Sequence, residues 1–164
     1  MNETFVSIDF ETATGKRNSA CAVAIVTVEN GRVTDEYYTL IQPPENKYFG
    51  KNIEIHKITP EMTENSKPFN ELYPEIKQKL EGKTVVAHNA PFDRSVLKRT
   101  MELYNLDYSE LQLADKWDCT LSIYRSKGYY PASLDACCRK NNIELNHHEA
   151  LSDAKACAEL YMLR

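Results

Sequence analysis

The stretch Thr4-Phe5-Val6-Ser7-Ile8-Asp9-Phe10-Glu11-Thr12 decides how the rest of the chain is read. It is rich in the β-formers Phe5, Val6, Ile8 and Phe10 and reads as a strand. Residues two apart on a strand share a face. Asp9 and Glu11 therefore point one way, while Val6, Ile8 and Phe10 point the other. Two carboxylates side by side on a mostly apolar strand repel each other, and burial sharpens the repulsion. No Lys or Arg in the strand offsets them, so a divalent cation held by oxygen ligands is the simplest compensation. Taken alone, the same pattern also describes an edge strand with a solvated acidic face.

Outward from this strand, residues 13–19 form a polar turn and 20–28 a buried strand. Asn30-Gly31 is a strong hairpin signal, returning the chain along 32–41. The first three elements thus predict an antiparallel meander. Residues 42–70, broken by Pro43, Pro44, Pro60 and Pro68, read as a long loop of the kind usually kept for function. Within it, Thr59 is expected to cap a short helix begun by Pro60. His56 reads as a surface side chain or a ligand contact.

Asn70 is expected to cap a helix over 71–81, with Leu72, Ile76 and Leu80 on one face and Gly82 ending it. A short buried strand, 84–87, precedes His88-Asn89-Ala90-Pro91-Phe92-Asp93. Phe92, Val96, Leu97, Met101 and Tyr104 then recur at helical spacing. Asp93 sits in that helix's first turn, just past a strand end. There it either stabilises the helix dipole or joins a site at the sheet rim.

A linker at 106–108 leads to a short strand over 116–120. Helices follow near 120–127 and 133–141, the second capped by Ser133. Gly128-Tyr129-Tyr130-Pro131 turns the chain between them. Ala150, Leu151, Ala154, Cys157, Ala158, Tyr161 and Met162 mark the last helix. Asp153 lies beside that stripe and His148 stands five residues earlier. His147 reads as structural or solvated. Three antiparallel strands followed by strand–helix units predict one α/β domain over residues 1–164, a mixed sheet flanked by helices.

The length of 164 residues suits one core. No apolar run reaches the roughly 18 residues of a membrane span, and no basic-then-apolar leader follows Met1. The chain is expected to be cytoplasmic. Cys21, Cys119, Cys137, Cys138 and Cys157 include no C-x-x-C pair and read as buried, reduced thiols.

The order of the acidic signals resembles the three motifs of the DEDDh exonucleases, which have a ribonuclease H-like fold. Asp9-Phe10-Glu11-Thr12 is similar to the first motif, His88 through Asp93 to the second, and His148-Glu149-Ala150-Leu151-Ser152-Asp153-Ala154 to the third. Within that family the chain is most similar to bacterial proofreading exonucleases of the DNA polymerase III epsilon type; Ser19-Ala20-Cys21 and His56-Lys57-Ile58-Thr59 fit that group. Lys57 stands where a glycine is common, and the flanks of Trp117-Asp118 are less apolar than usual. With no tail after Arg164, the polymerase-binding extension of a proofreading subunit is expected to be absent, which puts that role in question.

The resemblance implies Asp9, Glu11, Asp93 and Asp153 as ligands of two divalent ions, Mg²⁺ or Mn²⁺, and His148 as general base. A tyrosine branch of the same superfamily carries Tyr four residues before the last Asp; Glu149 stands there, favouring the histidine branch. The resemblance further implies Phe10 and Thr12 against the terminal nucleotide and His56 near its base. The implied activity is 3′→5′ exonucleolytic release of nucleoside monophosphates from single-stranded DNA. The alternatives are an exoribonuclease with the same site or an inactive nucleic-acid-binding domain. The implied partners are nucleic-acid 3′ ends, with a DNA polymerase or another replication or repair factor as a further candidate. The net charge of −4 is unusual for a nucleic-acid binder. Setting those four carboxylates aside leaves 20 acidic residues against 20 Lys and Arg. Binding is then expected to rest on local basic clusters such as Lys16-Arg17, Arg94 with Lys98-Arg99, and Arg139-Lys140.

Overall fold

Alternation along Phe5–Thr12 makes this segment strand β1, and its two faces set the layers of the molecule. The computed structural model describes residues 3–164. β1 pairs antiparallel with β2 (Ala20–Glu29), which turns through Asn30-Gly31 into β3 (Arg32–Leu40). Both turn residues have positive φ, 53° and 74°, as a tight hairpin of this kind requires. On its other side β1 runs parallel to β4 (Val85–Ala87), and β4 parallel to β5 (Asp118–Cys119). The sheet order is β3-β2-β1-β4-β5, so β1 lies at the centre. This is the expected ribonuclease H-like α/β architecture, three antiparallel strands followed by parallel ones.

Val6, Ile8 and Phe10 pack on one face of the sheet against α3 (Phe69–Leu80) and α4 (Ala90–Leu103). Phe69, Ile76 and Leu97 are among the side chains buried there, each contributing about 1.5–3 kcal/mol by leaving water. On the opposite face, Phe5, Ala24, Val26, Val28 and Val86 meet α7 (Ala150–Leu163). The α7 stripe is built from Ala150, Ala154, Cys157 and Ala158, small residues that let the helix lie close to the strands. α5 (Thr120–Ser126) and α6 (Leu134–Asn141) pack on α7 through Tyr124, Leu134, Cys137, Ala156 and Leu160.

The structure departs from the sequence reading in four places. The segment 42–70 is not a loop: it folds into a 3₁₀ turn at Pro44–Asn46, α1 (Gly50–His56) and α2 (Pro60–Thr63), the last begun by Pro60 as expected but with no side-chain cap from Thr59. Short helices of this kind leave no long apolar period to detect. α3 starts at Phe69 with the extended Pro68 as its flanking residue, so Asn70 lies inside the helix and does not cap it. Burial of Phe69 in the core sets that start. Ser133 flanks α6 as expected but makes no side-chain cap. The 106–108 linker runs on into a 3₁₀ turn at Tyr108–Leu111, entered through Asp107, whose carboxylate accepts from the Ser109 N–H.

Lys57, in the position often held by glycine, closes α1 in the left-handed conformation at φ 64°. All five cysteines are buried and free. Among the described residues, no helix is long and apolar enough to cross a membrane.

Candidate active site

Three chain segments deliver carboxylates to one rim of the sheet. Asp9 and Glu11 lie near the C-terminal end of β1, opposite Ala24 and Ala22 of β2. Those two small partners leave the acidic side chains room on the α7 face. A register shift between Glu11 and Thr12 ends the regular pairing there, as bulges beside active sites often do. Asp93 stands in the first turn of α4, and Asp153 in the first turn of α7. Asp93 is only 2 % exposed. Its Oδ1 accepts the Phe10 N–H at 2.9 Å, tying α4 to β1. Asp153 accepts the His148 N–H at 3.1 Å through Oδ2.

Carboxylate oxygens of Asp9, Glu11 and Asp153 lie within 4.8 Å of one another. Asp93 is outside this triple but close enough to Asp9 to raise its pKa. Burial is the main force on all four groups. It pushes Asp9 well above the ordinary carboxylate range, reinforced by Asp93, Glu11 and Asp153. Glu11 is pushed up to about 8 by burial and then by Asp153 and Asp93. Asp93 also reaches about 8, again through burial, against the opposing pull of the Phe10 N–H. Asp153 is raised by burial and partly relieved by His147. Asp9 opens in part onto the rim, yet its Oδ2 is covered and has no hydrogen-bond partner among the described residues. An orphaned buried oxygen inside an all-oxygen cluster fits a hard divalent cation.

His148 reaches the rim with φ 67° and stacks on His147, ring centroids 3.7 Å apart. Burial and the neighbouring His147 hold its pKa below the usual histidine value. His147 departs from expectation: its Nδ1 lies 3.3 Å from Asp153 Oδ1. The sequence spacing favoured His148 for that neighbourhood, but the left-handed turn at His148 swings both rings to the carboxylate.

These groups line a cavity of about 550 Å³ together with Phe10, Phe92 and the 121–134 segment. His56 and Thr12 do not line it. His56 donates from Nε2 to the Thr12 carbonyl at 3.0 Å, and its Nδ1 accepts the Ile58 N–H at 3.0 Å. With both ring nitrogens engaged and 9 % exposure, it braces the end of β1. His56 is thereby held at the strand end and outside the cavity lining. Asn52, which the sequence reading passed over, supports the same strand end by donating to the Thr12 and Thr14 carbonyls. Sequence reasoning also left His88, Arg125 and Tyr130 without a role; the aromatic turn between α5 and α6 was a signal for Tyr130, while His88 after β4 and Arg125 within α5 carried none of their own.

A central β1 with parallel neighbours on one side and an acidic cluster at the rim defines a ribonuclease H-like protein with a cation-ready acidic site. The chain belongs to the exonuclease family of the ribonuclease T type, whose family model matches residues 6–161. It is 34% identical over 166 residues to the PolC-type DNA polymerase III of Thermotoga petrophila, spanning 98% of this chain and 12% of that protein. It is 30% identical over 150 residues to the DNA polymerase III epsilon subunit of Pasteurella multocida, spanning 87% of this chain and 58% of that subunit. The solved structure of exonuclease X in complex with 5′ overhanging duplex DNA superposes with a TM-score of 0.73 at 25% identity, covering 96% of this chain and 88% of that one. The chain thus spans about an eighth of the length of the first polymerase relatives it matches.

Proposed function

We propose that this protein is a metal-dependent 3′→5′ exonuclease that trims single-stranded DNA to nucleoside monophosphates. One observation carries the reading: the Asp9, Glu11 and Asp153 oxygens gathered within 4.8 Å, with the buried Asp9 Oδ2 unpartnered. Such a cluster is unfavourable without a cation and useful with one. In this reading Asp9, Glu11, Asp93 and Asp153 hold two Mg²⁺ or Mn²⁺ ions, and residues 1–164 act as one exonuclease domain. When bound, the ions supply charge neutralisation for in-line displacement at a phosphodiester.

The chain's own residues do the rest. Asp93 locks the Phe10 backbone, which fixes the spacing between the β1 carboxylates and α4. Phe10 presents its backbone to the terminal nucleotide, and Phe92 offers it a ring. Thr12 and His56 support this edge from beneath through the Thr12 carbonyl. His148 accepts a proton from the attacking water. Its lowered pKa leaves it neutral, and so able to accept, at neutral pH.

DNA is chosen over RNA because the relatives carry DNA polymerase III names and exonuclease X is solved with DNA. The same names support the partner proposed with it, a DNA polymerase or other replication or repair factor. The test uses one sequence as a linear strand, as a strand with a bulky 3′ block, and as a closed circle, each with Mg²⁺ or Mn²⁺. The linear strand is expected to yield a ladder of single-nucleotide steps, and the other two nothing. Cleavage of the circle, or full activity in excess chelator, overturns the proposal.

A further inference from the structure

The wall of the cavity facing the carboxylates has no part in the chemistry above. It is formed by the end of α5, the turn 127–133 and the start of α6. Two of its side chains stand out. Tyr130 lines the cavity yet is 78% exposed, the most exposed large apolar side chain described. Arg125 lines the same cavity and takes part in none of the ion pairs among the described residues. Its charge is near enough to His88 to help push that imidazole down to about 4, behind the larger effects of burial and of His147.

Everything around these two side chains is fixed. His88 donates from Nε2 to the Ala132 carbonyl at 3.0 Å and accepts the Thr120 hydroxyl at Nδ1, 2.8 Å away. Tyr124 donates to the Leu160 carbonyl at 2.8 Å and meets Tyr129 edge-on at 5.0 Å. An exposed ring and an unpaired guanidinium on a tethered wall form a ready surface for a base and a phosphate.

We infer that Tyr130 and Arg125 form the subsite for the penultimate nucleotide, Tyr130 stacking its base and Arg125 meeting the phosphate on its 5′ side. The side is set by exposure. Phe92, on the other face of the sheet, is half-buried beside Asp93 and suits a unit that ends in the site. The retained strand must run on into solvent, and the open wall carries Tyr130, Arg125 and, two residues further, the exposed Lys127. Stacking on a ring accepts any base, so this subsite adds affinity without sequence preference. The inference rests on the exonuclease reading above.

The test compares single-stranded oligothymidylate with the p-nitrophenyl ester of thymidine 5′-monophosphate, which has no second nucleoside. The readout is the ratio of kcat/KM for the two substrates in the full chain. Tyr130→Ala is expected to lower that ratio about 5- to 150-fold, the size of one base–aromatic stack. Tyr130→Phe keeps the ring and is expected to keep the ratio. For Arg125→Gln, the slope of log kcat/KM against log salt on the oligonucleotide is expected to flatten by about 0.7, one phosphate's share for a single strand. A ratio unmoved in Tyr130→Ala, or a slope unmoved in Arg125→Gln, overturns the subsite while leaving the exonuclease reading intact. Failure of the unaltered protein to hydrolyse either substrate defeats both.

Discussion

Removing one charge from the acidic cluster should make the metal-free protein more stable while disabling it. Asp9→Asn keeps the side-chain volume and deletes a carboxylate that lies within 4.8 Å of Glu11 and Asp153 oxygens. At that spacing a like-charge pair costs about 3.5 kcal/mol at an effective dielectric of 20. Retained protons and water at the rim reduce the recoverable part to about 2 kcal/mol.

The pH window follows from the raised carboxyls. A carboxyl whose folded pKa is raised stabilises most below its unfolded value, near 4, and loses that stability as pH climbs through the folded value. Glu11 and Asp93 both reach about 8, so the loss in chelator spans roughly pH 4 to 8. At pH 7.5 in EDTA, Asp9→Asn is expected to melt about 4–8 °C above the unaltered protein, with the gap closing toward pH 4. Mg²⁺ or Mn²⁺ at a hundred times its dissociation constant should stabilise the unaltered protein by about 2.7 kcal/mol and the variant far less. Thermal melts across this pH range, with and without metal, decide the matter. A variant that melts lower than its parent in EDTA at pH 7.5 refutes the repulsion argument, as does a metal-free parent that gains stability from pH 5 to 8.

His148→Ala is expected to lower kcat about 10²–10⁴-fold. His147→Ala, which removes the partner of Asp153, is expected mainly to raise the metal concentration needed for half-maximal activity; steady-state assays over a metal titration separate the two. Leu97→Ala opens a hole between α4 and the sheet and should cost about 2–5 kcal/mol in chemical denaturation. None of the five cysteines should react with a thiol reagent before the protein unfolds, read as colour release with and without denaturant.

The sheet was legible because its signals are local. Alternation marked β1, Asn30-Gly31 marked the hairpin, and the small-residue stripe marked α7. Within 42–70 only the start of α2 at Pro60 was legible; the 3₁₀ turn and α1 were not, because α1 is 7 residues long and owes its form to what it braces. His56 shows the same limit at a single residue: its partners are the Thr12 carbonyl and the Ile58 N–H, and no sequence spacing announces a brace of that kind. The clustered carboxylates were visible as residues in order along the chain. Their distances, the Phe10 N–H bond to Asp93 and the approach of His147 depend on how β1, α4 and α7 dock. The Tyr130 wall was hidden for a similar reason, since it faces the carboxylates only once α5 and α6 have packed on α7.

The acidic site is divided among an early strand, a helix near the middle and a helix more than 130 residues after β1. A chain emerging from the ribosome therefore carries Asp9 and Glu11 long before it can assemble them with Asp153. Until α7 docks, no fragment holds the whole constellation. If the proposed exonuclease reading holds, the capacity to cut nucleic acid arrives only with completion of the fold itself.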